Sequence, residues 1–142
     1  MDLAGKTAFV TGGGGGIGAG IAAALIERGM NVALADIDLE RAEQEAAKLG
    51  EHARAVRIDV TDEQSWAAAK AEVEAELGPV DLLCNNAGIA TSPLLLDETS
   101  PRLFAKIMAV NVTGVFNGIY TFAPDMKARG KGHIVNTSSL NG

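Results

Sequence analysis

Short apolar runs alternate with longer stretches of mixed polarity along the whole chain. The runs Thr7 to Thr11, Asn31 to Ala35, Ala53 to Ile58, Val80 to Asn85 and His133 to Thr137 have strand length. Between them apolar residues recur at three- and four-residue spacing, as one face of a helix requires. Five strands separated by helices predict right-handed βαβ units around a parallel sheet, an α/β architecture.

Helix ends carry their own signals. Asp38 is placed to cap a helix over Leu39 to Leu49, with Ala42, Ala46 and Leu49 on one face and Gly50 ending it. Thr61 with Gln64 reads as a capping box for a helix reaching Leu77, which Gly78-Pro79 stops. Ser100-Pro101 opens a long helix to about Arg129, with a kink expected at Pro124. No repeat, linker or charge block interrupts the pattern, so one domain is expected over residues 1–142.

Composition narrows the partners. Hydrophobic residues make up 47% of the 142 residues and charged residues 21%, enough apolar surface for a real core. A net charge of −6 opposes binding to nucleic acid or anionic lipid. The N-terminus lacks a leader pattern and no uninterrupted apolar run reaches 18 residues, so a cytoplasmic protein without a membrane span is expected. Cys84, the single cysteine, sits in an apolar run and reads as core. With His52 and His133 as the only histidines, no metal site is expected.

The first strand runs directly into Thr11-Gly12-Gly13-Gly14-Gly15-Gly16-Ile17-Gly18, and a helix is predicted from Ile17 to Arg28. Glycines at a strand-to-helix turn let backbone N–H groups approach a pyrophosphate, and the positive helix end favours it. The predicted fold is therefore a Rossmann-type parallel sheet, strand order 3-2-1-4-5, with helices on both faces. Two registers fit the glycines: Gly13, Gly15 and Gly18, or Gly12, Gly16 and Gly18. Asp36 ends the second strand near the spacing at which a carboxylate receives the ribose hydroxyls. That carboxylate would repel a 2′-phosphate, and neither Gly15 nor Ile37 supplies an offsetting cation, so NAD is expected over NADP. The plain alternative is that Asp36 is a solvated turn residue.

Together, the glycine segment, Asp59-Val60, Asn85-Asn86-Ala87-Gly88, Asn111 and Gly132-His133-Ile134-Val135-Asn136-Thr137-Ser138-Ser139 resemble the short-chain dehydrogenase/reductase family. The resemblance runs the length of the chain. It implies a cofactor site formed by Gly12, Gly16, Ile17, Gly18, Asp36, Asp59, Val60, Asn86, Ala87 and Gly88. Asp59 would meet the adenine amino group and Val60 would offer its N–H. Asn85 and Asn86 would also tie strand ends together through their amides. Asn111 would be a catalytic asparagine positioning a proton-relay water, although periodicity alone also allows it to face solvent. Ser139 would bind the substrate carbonyl.

The resemblance further implies hydride transfer between NAD(H) and an alcohol or carbonyl substrate, with a homo-oligomer built on the long helix. Such enzymes use a Tyr-x-x-x-Lys pair as the proton-transfer machinery, and these 142 residues contain none. Tyr120, the single tyrosine, is followed four residues on by Pro124 and reads as packing. The expected reading is thus the nucleotide-binding part of such an enzyme, truncated relative to the family and with negligible turnover of its own. A non-catalytic dinucleotide-binding or interaction module is the rival. An unrelated Rossmann protein such as a methyltransferase leaves Asn85 to Gly88 and Ser139 unexplained.

Overall fold

A computed structural model describes residues 2–90 and 95–139. Part of the Thr91 to Thr99 segment, which says little about substrate in sequence, lies outside the described residues. In chain order the elements are β1 (Thr7–Thr11), α1 (Gly16–Ile26), β2 (Asn31–Asp36), α2 (Leu39–Leu49), β3 (Ala53–Arg57), α3 (Glu63–Leu77), β4 (Val80–Asn85), α4 (Pro101–Met108), α5 (Gly114–Arg129) and β5 (His133–Asn136). The sheet order is β3-β2-β1-β4-β5, with every pairing parallel. The order and the five strands agree with the pattern in the sequence.

Because strand residues alternate between faces, the sheet divides its apolar residues into two layers. On one face Phe9, Ala33, Val56 and Leu83 meet Trp66 and Val73 of α3 and Phe122 and Met126 of α5. Phe9, Trp66 and Phe122 form an aromatic triad, with ring centroids 5.1 to 6.2 Å apart. On the other face Ala8, Val10, Val32, Leu34, Leu82 and Cys84 meet Ala22 of α1 and Ala42 and Ala46 of α2. Cys84 is buried there, as its apolar run implies.

Asp38 caps α2 as expected, accepting the Arg41 N–H at 3.2 Å, and Ser100 caps α4 through Leu103 N–H at 3.2 Å. The capping box at Thr61 is corrected. Asp62 is the cap of α3 and accepts the Gln64 N–H at 3.0 Å. Thr61 turns back instead, giving both its N–H and its hydroxyl to Asp59 Oδ1 at 2.9 and 2.7 Å. An aspartate two residues upstream competes for the hydroxyl that the cap would need.

The long helix is one run with an insertion. Between α4 and α5 the residues Ala109–Thr113 form a π turn, and the Gly114 N–H reaches back five residues to the Ala109 carbonyl. Helix α5 continues through Pro124 to Arg129 and ends at Gly130 in a left-handed conformation. By length and composition the 29-residue run Pro101–Arg129 could cross a bilayer. In the folded chain it lays Gly114, Asn117, Gly118, Phe122 and Met126 into the protein instead.

Candidate cofactor site

In a parallel sheet all strands end on the same edge, so the loops after β1, β2, β3 and β4 gather there, which is where α/β proteins bind ligands. Thr11 ends β1 fully buried, and its Oγ1 accepts the N–H groups of Asn86 and Ala87, each at 2.9 Å. Asn86 Nδ2 returns a bond to the Thr11 carbonyl at 3.1 Å, and its Oδ1 accepts the Thr137 hydroxyl at 3.1 Å. Asn85 Nδ2 reaches Asn136 Oδ1 at 2.9 Å. These amides tie β1, β4 and β5 together as the sequence implies. Asn86 is thereby a strand clamp, the tie that the resemblance implied for its side chain.

The glycine loop owes its shape to close approach. Gly12 has φ +68°, and a Cβ there would stand 3.1 Å from the Ala87 Cα. A Cβ on Gly18 would stand 2.1 Å from the Gly12 carbonyl oxygen, which no side chain tolerates. Gly16, also at positive φ, opens α1. Close approach does not separate the two registers, since a Cβ on Gly13 would stand 2.8 Å from the Leu34 Cα; a left-handed φ at Gly12 and Gly16, and at neither Gly13 nor Gly15, favours Gly12, Gly16 and Gly18. Helix α1 begins with no side-chain cap and no acidic residue in its first turn, leaving its positive end open to an anion.

Asp36 stands half-buried at the end of β2. Its Oδ2 accepts the Gly14 N–H at 2.9 Å and its Oδ1 the Asp38 N–H at 3.0 Å. It is thus a built part of the loop and not a freely solvated turn residue. A cleft of about 420 Å³ opens beside it, lined by Gly12, Asp36, Val60, Ala87 and Gly88 together with Ile37, Ile58, Ile89, Lys106 and Val110. Half of the ten cofactor residues named from sequence share this cleft. Gly16, Ile17 and Gly18 stand on α1, and Asn86 and Asp59 are committed to neighbouring backbone or side chains.

The Asp59 carboxyl is held below its ordinary value, first by the Thr61 hydroxyl and then by the Thr61 N–H. Beside it, the Val60 carbonyl accepts Trp66 Nε1 at 2.9 Å and Asn117 Nδ2 at 3.1 Å. Asn117 was missed in the sequence although it carries the same signal as Asn111, an amide inside an apolar helix. A Cβ on Gly118, next to it, would stand 2.3 Å from Asn85 Oδ1, so the Asn85 and Trp66 side chains pack directly on the α5 backbone there.

Asn111 sits in the π turn. Its side chain is exposed by area yet fully engaged: Oδ1 accepts the Ile89 N–H at 2.8 Å, and Nδ2 donates to the Ile89 carbonyl at 2.9 Å. Its amide therefore holds the wall of the cleft. Ser139 is exposed just beyond β5, whose register sets Asn136 beside Asn85 and so delivers Ser139 to the same sheet edge. Tyr120 lies elsewhere, on the outer face of α5 against Phe116. No cluster suited to a metal occurs among the described residues.

The family model for short chain dehydrogenase matches residues 6–142. The chain belongs to the short-chain dehydrogenase family. It is 39% identical over 140 residues to a 3-alpha-(or 20-beta)-hydroxysteroid dehydrogenase of Mycobacterium tuberculosis, covering 99% of this chain and 54% of that protein. It is 42% identical over 142 residues to a 2,5-dichloro-2,5-cyclohexadiene-1,4-diol dehydrogenase of Sphingobium indicum, covering 99% of this chain and 57% of that protein. A short-chain dehydrogenase/reductase from Burkholderia phymatum, solved in complex with NAD, superposes with TM-score 0.93 at 35% identity, covering 99% of this chain and 51% of that one. The chain spans about half the length of these relatives. Within the family the cleft, the open α1 terminus and the glycine approach fit a nicotinamide dinucleotide.

Proposed function

We propose that this chain is the cofactor-binding part of an NAD-dependent oxidoreductase that moves hydride between NAD(H) and an alcohol or carbonyl substrate. The observation that carries this reading is Asp36 fixed against the Gly14 N–H at the mouth of the cleft, where a carboxylate suits ribose hydroxyls and disfavours a 2′-phosphate. NAD is accordingly the preferred cofactor.

Bound NAD would supply the hydride acceptor; the chain's own residues would hold and orient it. Gly12, Gly16, Ile17 and Gly18 give the pyrophosphate a backbone surface at the start of α1. Val60, Ala87 and Gly88 wall the cleft, and Asp59 faces the adenine end. Asn111 fixes the Ile89 backbone, and Ser139 presents a hydroxyl for the substrate oxygen. Since no Tyr-x-x-x-Lys occurs in these 142 residues, they should bind dinucleotide without appreciable turnover. That is also the behaviour of a purely dinucleotide-binding module. The named relatives act on a hydroxysteroid and a chlorinated cyclohexadiene diol, too different to name a substrate here.

Self-association goes with this reading, because Phe104, Met108, Val112, Phe116 and Tyr120 form an exposed apolar stripe at four-residue intervals along the long helix. The net charge of −6 argues against nucleic acid or anionic membranes as partners. A cytoplasmic setting accords with one free, buried cysteine.

Trp66, the single tryptophan, donates to the Val60 carbonyl behind the cleft and reports on it. Titration with NADH should quench Trp66 emission saturably through energy transfer to the nicotinamide. Quenching that never saturates would contradict the proposal.

A further inference from the structure

We propose that Arg41 is a second specificity-determining residue of the cofactor site, a pre-placed cation for a 2′-phosphate that Asp36 alone keeps out. The proposal rests on the dinucleotide reading above and extends it to a residue on a different element.

Sequence spacing directs attention to Gly15 and Ile37 and finds no cation at either. The fold brings one from further along. Arg41 lies in the first turn of α2, its N–H fixed to the Asp38 carboxylate, and the helix start faces the glycine loop. A Cβ on Gly14 would stand 2.8 Å from Asp36 Oδ2 and 3.1 Å from Arg41 Cβ. A Cβ on Gly15 would stand 2.7 Å from Arg41 Nη2. The carboxylate and the guanidinium thus lie against two successive glycines, in room that any side chain there would fill.

The charges make this an arrangement suited to an anion. The N-terminus of α1 is positive, lacks a side-chain cap and has no acidic residue in its first turn, and Arg41 adds a full positive charge beside it. Among the described residues neither Arg41 nor Asp36 takes part in an ion pair. Asp36 directs its two oxygens to the N–H groups of Gly14 and Asp38. Guanidinium groups bind phosphate through paired N–H donors. With Asp36 in place a 2′-phosphate meets a fixed negative charge; with Asp36 neutral, Arg41 and the helix end remain to receive it.

The test is calorimetric titration of the 142-residue chain with NAD and with NADP, comparing the native sequence, Asp36→Ser and Asp36→Ser with Arg41→Ala. Asp36→Asn, which retains an acceptor for Gly14, serves beside Asp36→Ser in case loss of that bond disturbs the loop. Neutralising Asp36 should tighten NADP at least ~10-fold while weakening NAD, and adding Arg41→Ala should reverse at least ~10-fold of the NADP gain, its effect falling on NADP rather than on NAD. NADP binding that survives Arg41→Ala would overturn the proposal and point to Lys106 on the far wall. Failure of both neutral variants to gain NADP would overturn it too. If the native chain binds NAD while Arg41 is silent, only this proposal fails; if it binds neither dinucleotide, the cofactor reading fails with it.

Discussion

Asn111 grips the backbone of Ile89 from both sides, accepting its N–H at 2.8 Å and donating to its carbonyl at 2.9 Å. The pair bridges the π turn of the long helix and the loop after β4. π turns are inserted turns frequently found at functional sites, and here the insertion places an amide across a stretch of 22 residues. Asn111→Ala should cost only about 1 kcal/mol in urea unfolding, because both bonds are solvent-accessible. It should weaken NAD binding by several-fold as the Gly88–Ile89 wall loosens. Unchanged NAD affinity would show that the grip serves the helix alone.

At Gly118 the backbone of α5 packs against the side chains of Asn85 and Trp66. Gly118→Ala would put a methyl 2.3 Å from Asn85 Oδ1 and 2.8 Å from the Trp66 ring, and should destabilise by about 1 to 3 kcal/mol. Gly20, an exposed position in α1 where an added methyl would meet nothing within 4 Å, should gain about 0.5 to 1 kcal/mol as alanine. Denaturation midpoints moving in the same direction for both variants would contradict the packing described.

Asp59 gives acid sensitivity of defined sign. Its carboxyl is lowered in the folded chain by Thr61, so the stability it contributes is present above the unfolded value of about 3.9 and is lost as pH falls through the lower folded value. Between pH ~5 and ~3 the native chain should therefore lose more stability than Asp59→Asn. Parallel unfolding free energies across that window would remove the Thr61–Asp59 turn from the explanation.

Cys84 should be unreactive while the chain is folded. Burial raises its thiol to about 11, against a free value of about 8.5. Alkylation at pH ~8 should run more than ~100-fold slower than for a free thiol and rise to the free rate in denaturant. Rapid labelling of the native chain would mean that the face covered by α1 and α2 opens readily.

The sheet was legible in the sequence because its central strands β1, β2 and β4, buried on both faces, read as continuous apolar runs, and because β1 leads straight into glycines. Asp36 was legible for the same reason, being local to a strand end. What escaped depends on contacts made across the chain. Thr61 and Asp62 are both competent caps, and only Asp59, by taking the threonine hydroxyl, decides between them. The π turn at Ala109–Thr113 leaves no mark in apolar spacing, since it contains neither glycine nor proline. Asn111 finds its partner 22 residues away, and Arg41 reaches the glycine loop only because α2 folds back beside it. Gly118 and Asn117 read as plain helix interior in the sequence, because the Asn85 side chain and the Val60 carbonyl that pack against them come from distant segments.

The most direct measurement is calorimetric titration of the purified chain with NAD and, separately, with NADP. Saturable binding of NAD, tighter than that of NADP, is the expected result. Absence of binding at millimolar NAD, or a clear preference for NADP, would contradict an Asp36-governed NAD site.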